Sequence, residues 1–197
     1  MTFFSFVLFI HVLSAMAVFV AFALEGVILL RLRSAETLEQ LRFPSAAFRR
    51  LGPVYGIAFA GILLGGIYLA ASLHLKAAWV PVALLATLVL LAVGGIVTGR
   101  RISRIRRALR EPTPPLQDLL AIANSNSLVT SYGFRAGMLV GIVFLMTAMP
   151  ALLPSVVALI LTTLAGVFLA VRLRRSAMLN SHNPLSARPL ANGSSRS

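Results

Sequence analysis

Residues 2–30 read TFFSFVLFIHVLSAMAVFVAFALEGVILL, and Arg31 and Arg33 follow at once. Only His11 and Glu25 in this stretch can ionise near neutral pH. A bilayer core is about 30 Å thick and takes roughly 20 apolar residues as a helix. The stretch is long enough to span it and too apolar for the half-buried helix of a soluble domain. A cleavable export signal puts its positive charges before a shorter apolar core. Here they come after, so the stretch reads as a retained span.

The rest of the chain repeats the pattern. Apolar runs at about 54–75, 79–98, 131–149 and 155–171 bring the spans to five. The 197 residues are 58% hydrophobic and 12% charged, with a mean hydropathy of +0.91. Soluble domains carry about 25% charged residues, so that class is excluded. The expected fold is all-α, a polytopic bundle of five transmembrane helices over residues 1–175. The tail, 176–197, is rich in Ser, Asn, Pro and Arg, has no apolar periodicity, and reads as disordered. With no cysteine, disulfides, iron–sulfur ligation and zinc–thiolate sites fall away.

Between the runs, Ala35 to Leu41 reads as a short helix that Pro44 ends, inside a polar stretch from Ser34 to Gly52. Trp79 sits where an interfacial aromatic belongs. The basic block from Arg100 to Arg110 reads as the third helix continuing into water until Pro112, Pro114 and Pro115. Leu116 to Ala123 has the pattern of a short amphipathic helix at the interface, and Asn124 to Ser127 that of a polar turn. Pro150 and Pro154 bracket the last connection.

The net charge of +13 follows from topology. Of eighteen Lys and Arg residues, seventeen fall on one side of the expected bundle and Lys76 alone on the other. Basic residues stay cytoplasmic. The N-terminus is therefore expected outside and the C-terminus inside, in a bacterial cytoplasmic membrane, with anionic lipids drawn to the cytoplasmic face. No polar segment is long enough for a basic domain, so nucleic acid is not a partner in this reading.

Two constellations could carry chemistry. His11 and Glu25 are fourteen residues apart, nearly four helical turns, and share a face. That face should look into the bundle, because ionisable groups facing lipid are expensive. Glu25 and Arg135, the latter in the first turn of the fourth span, both lie near the cytoplasmic edge and can reach each other as an ion pair. Towards the outside, His11, Met146 and Met149 can converge, with His74 at the rim. Imidazole and thioether donors suit Cu(I), and histidine also ligates haem iron. Glycines at 61 and 65, and at 133, 137 and 141, let helix backbones approach closely. They fit packing within the bundle better than a dimer seam.

The segment FIHVLSAMAVFVAFALEGVILLRLR, 9–33, resembles the opening helix of bacterial membrane proteins of the copper resistance protein D-like group and of uncharacterised bacterial integral membrane proteins. Residues 42–69, RFPSAAFRRLGPVYGIAFAGILLGGIYL, look like their second helix with its arginine-rich approach. Residues 131–157, SYGFRAGMLVGIVFLMTAMPALLPSVV, resemble the fourth and fifth spans of one uncharacterised subgroup. The resemblance implies a membrane helix bundle and singles out His11 as the position shared with copper and haem proteins. The tryptophan that often follows that histidine is replaced by Ala17 or Val18.

Three functions stay open. The chain could be a non-enzymatic membrane protein that binds a small molecule or serves as a subunit beside a partner protein or second copy. It could handle copper through the His/Met site. It could be a haem-linked redox protein using His11.

Overall fold

A computed structural model describes residues 3–73 and 77–181. Among them every regular element is helical: α1 (Phe3–Arg33), α2 (Leu38–Ser72), α3 (Trp79–Val93), a π-helical segment (Gly94–Gly99), α4 (Arg100–Ala108), α5 (Leu116–Ala123), α6 (Asn126–Ala148) and α7 (Leu152–Ser181). Among the described residues five helical stretches are long and apolar enough to cross a membrane. Large apolar side chains cover the outside, with Phe3, Phe43, Leu64 and Leu153 among the most exposed. Exposed apolar surface on this scale marks a surface that is not covered by water.

The second span starts earlier than its apolar pattern suggests. Thr37 is an extended N-cap whose Oγ1 accepts from the Gln40 amide at 3.3 Å. The Gln40 side chain accepts in turn from the amides of Thr37 and Glu36. This capping box satisfies amides that a helix start leaves unpaired, and α2 then runs through both Pro44 and Pro53. The expectation that Pro44 ends a short helix is thus corrected. Each proline removes one backbone bond, and a long helix packed along a neighbour keeps the rest. The polar stretch shrinks to the few residues between α1 and α2.

Packing is closest at two glycine seams. On α2, Gly61 faces the Ser14 side chain, and a Cβ at Gly65 would lie 3.1 Å from Cβ of His11. Between α6 and α7, a Cβ at Gly133 would stand 2.6 Å from the carbonyl of Gly166, and one at Gly137 2.7 Å from Cα of Thr163. Backbones this close gain dispersion contacts that larger residues would prevent. Met149 closes α6 in the left-handed region (φ 46°), its amide bonded to the Leu145 carbonyl, and Pro150 follows.

The interior divides into two apolar clusters. One, midway along the bundle, gathers Val18, Phe22, Ala58, Phe59, Leu90, Met138 and Ile142. The other, at the basic end, gathers Leu29, Leu32, Leu41, Ile102, Ile105, Leu119 and Leu128. The basic block therefore does not simply run out into water. Ile102, Ile105 and Leu109 line one face of the helical turn and are buried under α5, while Arg104, Arg107 and Arg110 stay exposed. The same cluster buries Leu119 and Ala123 of α5. The helix at Leu116–Ala123 is where its pattern puts it, and Asn124–Ser127 is only half a turn, because α6 already begins at Asn126.

Candidate functional site

Glu25 and Arg135 lie between the two clusters. Glu25 is wholly buried and Arg135 is 3% exposed. Because α6 starts at Asn126, Arg135 is in its third turn and not its first. It therefore lies deeper in the bundle than the apolar run alone suggests. Arg135 Nη1 donates to Glu25 Oε2 at 2.9 Å, and Nη2 donates to Oε1. The paired carboxylate and guanidinium match as planar forks, which strengthens the bond and fixes its orientation.

Five further residues complete the cluster. Nη2 of Arg135 also donates to Thr98 Oγ1 at 3.1 Å, and Nε donates to the Ser131 carbonyl at 3.4 Å. Thr98 and Ser131 hydroxyls are hydrogen-bonded to each other. The Tyr55 hydroxyl donates to Glu25 Oε2 at 2.7 Å. Phe22 stacks flat on Tyr132 with centroids 4.3 Å apart, and the Arg135 guanidinium sits 5.4 Å above the Phe22 ring. Gly26 leaves the space in which the Tyr132 ring rests against α1. The cluster thus ties α1, α2, α6 and the π segment to one another.

The π segment has a local role. Thr98 is eight residues after Leu90, which is more than two α-turns. The wider i→i+5 turns bring Thr98 back beneath Leu90, onto the face that meets α6. Such segments recur at functional positions. Apolar pattern alone does not single out Tyr55, Thr98 or Ser131. The four-residue spacings Gly94–Thr98 and Ser131–Arg135 are the signals that could have found them.

Beside the pair lies a cavity of about 280 Å³, walled by Phe22, Phe48, Tyr55 and Phe59 and by a run of glycines, with Glu25 and Arg135 reaching its wall. No atom stands within 4 Å of where a Cβ would be at Gly52, Gly56 or Gly95. These glycines open the cavity between α2 and α3, which touch only sparsely. A guanidinium has five N–H donors. Among the described residues four hydrogen bonds use Nε, Nη2 twice and Nη1 once. The second Nη1 hydrogen has no acceptor. It lies on the Cδ side of the guanidinium, where a Cβ at Gly94 would be 3.2 Å from Nη1 and 3.6 Å from Cδ. The glycine keeps that donor uncovered at the cavity edge.

The outer constellation is only partly assembled. His11 Nδ1 is hydrogen-bonded to the Ile62 carbonyl at 3.1 Å, and its ring is wedged against Gly65 and Gly66. His11 and Met146 line one cavity of about 50 Å³. Met149 is not in that lining and is 62% exposed at the end of α6, because its left-handed turn carries it out of the helical register. His74 lies outside the described residues. A space this small holds a few water-sized groups and does not fit a porphyrin. For copper it offers one imidazole and one thioether, and among the described residues no group of three His, Cys, Asp or Glu side chains comes together.

Searched against protein-family models, curated proteins and solved structures, the chain finds no match.

Proposed function

We propose that this chain is a multi-pass protein of a bacterial cytoplasmic membrane, N-terminus outside, that binds a small lipid-soluble molecule in the glycine-walled cavity beside Glu25 and Arg135. The observation that carries the reading is the spare Nη1 hydrogen of buried Arg135 at the edge of that cavity. A buried donor without an acceptor costs about 1–3 kcal/mol, and a ligand acceptor there removes that cost. Glu25 and Arg135 neutralise each other, so an ionic ligand would leave a net charge within the bundle, which is unfavourable. An uncharged ligand with one carbonyl and an apolar, ring-bearing body suits four aromatic walls and a single donor. The sparse contact between α2 and α3 supports sideways entry from the bilayer.

The test uses the full chain in lipid nanodiscs and a fluorescent acyl-dimethylaminonaphthalene dye, whose one carbonyl is the acceptor. Wild type is expected to take up the dye saturably above empty nanodiscs. Gly95→Phe, at a lining position where an added Cβ meets nothing within 4 Å, is expected to lose that uptake while melting at the same temperature. Equal uptake by both would reject the cavity as the site. Equal uptake of the analogue lacking the carbonyl would reject the role of Arg135.

A further inference from the structure

A second site, independent of the cavity, emerges at the basic end of the bundle. Arg33 closes α1, and Arg174 lies in the last part of α7. The two are near enough for their like charges to act on one another. The Nε of each is shut off from solvent and has no acceptor. The hydroxyls of Ser125 and Ser127 are in the same state. These four residues lie at the same end of the bundle. Leu32 and Leu128, the chain neighbours of Arg33 and Ser127, share one buried cluster. Gly133 rests against Gly166 and Ala170, and that antiparallel register carries residues 125–127 alongside residue 174.

Among the described residues no carboxylate pairs with either arginine. The chain has five acidic residues, Glu25, Glu36, Glu39, Glu111 and Asp118. Glu25 is taken by Arg135, and that is the one ion pair among the described residues. Two like charges at half-buried positions repel one another, and a bound anion relieves that repulsion. Ser125 is also the N-cap of the 23-residue α6, and its side chain caps no amide. The Leu128 amide bonds back to the Ser125 carbonyl, and the two amides before it add donors at the positive end of the helix dipole.

We infer that Arg33, Arg174, Ser125 and Ser127 form a site for a phosphate group. Phosphate oxygens accept side-on pairs of arginine N–H donors and take hydroxyl and helix-start donors in addition. Two sources share this chemistry, the phosphodiester of a membrane lipid and free phosphate in the cytoplasm.

The test is native mass spectrometry of the full chain released from nanodiscs of phosphatidylcholine with phosphatidylglycerol. Wild type is expected to retain one phosphatidylglycerol at least tenfold over its share of the bilayer, and Arg33→Gln/Arg174→Gln to lose that preference. The exposed pair in Arg104→Gln/Arg107→Gln removes the same charge and is expected to leave it intact. Ser125→Ala/Ser127→Ala, which alters no charge, is expected to weaken it several-fold. Retention in wild type that millimolar inorganic phosphate does not displace assigns the site to lipid. Absence of the lipid adduct, together with a melting temperature raised by inorganic phosphate in wild type but not in Arg33→Gln/Arg174→Gln, assigns it to free phosphate. Equal losses in the two arginine double variants would reduce the effect to diffuse surface charge and overturn the site. A wild type that neither lipid nor phosphate affects would overturn it as well.

Discussion

Arg135 on α6 holds Glu25 on α1 with both terminal nitrogens, across 110 residues of sequence. Neither residue has another opposite charge within ion-pair distance among the described residues. The pair sits at the boundary of the two apolar clusters and also engages Tyr55 and Thr98. Its removal therefore affects four elements together.

Breaking a buried pair from one side leaves a lone charge, at a cost of about 3–5 kcal/mol. Glu25→Ala is expected to lose stability of that order in detergent unfolding. Replacing both partners, as Glu25→Leu/Arg135→Met, removes the lone charge and should recover most of the loss. A double variant no more stable than Glu25→Ala would show that the cost is packing and not charge.

Tyr55 tests the hydrogen bond alone. Tyr55→Phe keeps the ring and deletes one donor to a carboxylate, worth about 1.5–3 kcal/mol. Its melting temperature should fall while the Glu25–Arg135 bond survives. If Tyr55→Phe melts with wild type, the bond at Glu25 Oε2 contributes nothing to stability.

Two glycines should respond oppositely to the same substitution. A Cβ at Gly137 would stand 2.7 Å from Cα of Thr163, whereas one at Gly56 meets nothing within 4 Å. Gly137→Ala must push α6 from α7 and should cost about 1–3 kcal/mol. Gly56→Ala only restricts the unfolded chain and should gain about 0.4–1 kcal/mol. Parallel melts of the two variants decide the point.

Orientation is open to direct labelling. The chain has no cysteine, so Ser103→Cys gives a single thiol among the arginines of α4. In intact cells it should resist a membrane-impermeant maleimide and react once the cells are opened. Labelling from outside would reverse the proposed topology.

Five helices long and apolar enough to span a membrane are legible from composition and apolar runs, because a bilayer demands a minimum length of helix with few charges. Element boundaries are less legible. The box at Thr37–Gln40 carries α2 through two prolines, and α6 begins five residues before its apolar run, so Arg135 lies deeper than its position in that run implies. The reach of Glu25 to Arg135 follows from their depth along two helices, since intramembrane charges seek partners.

The number of candidate spans, the uneven distribution of basic residues and the need for Glu25 to find a cation can all be read along the chain. These follow from transfer free energies and residue spacing along single helices. Which groups surround the pair is a matter of packing. The helical rotation that puts Tyr55, Thr98 and Ser131 against it, the glycines that leave a cavity rather than a seam, and the turn that sends Met149 away from His11 all depend on how helices pack against each other. Packing is fixed by contacts between residues far apart in the chain, and spacing within one helix carries no record of them.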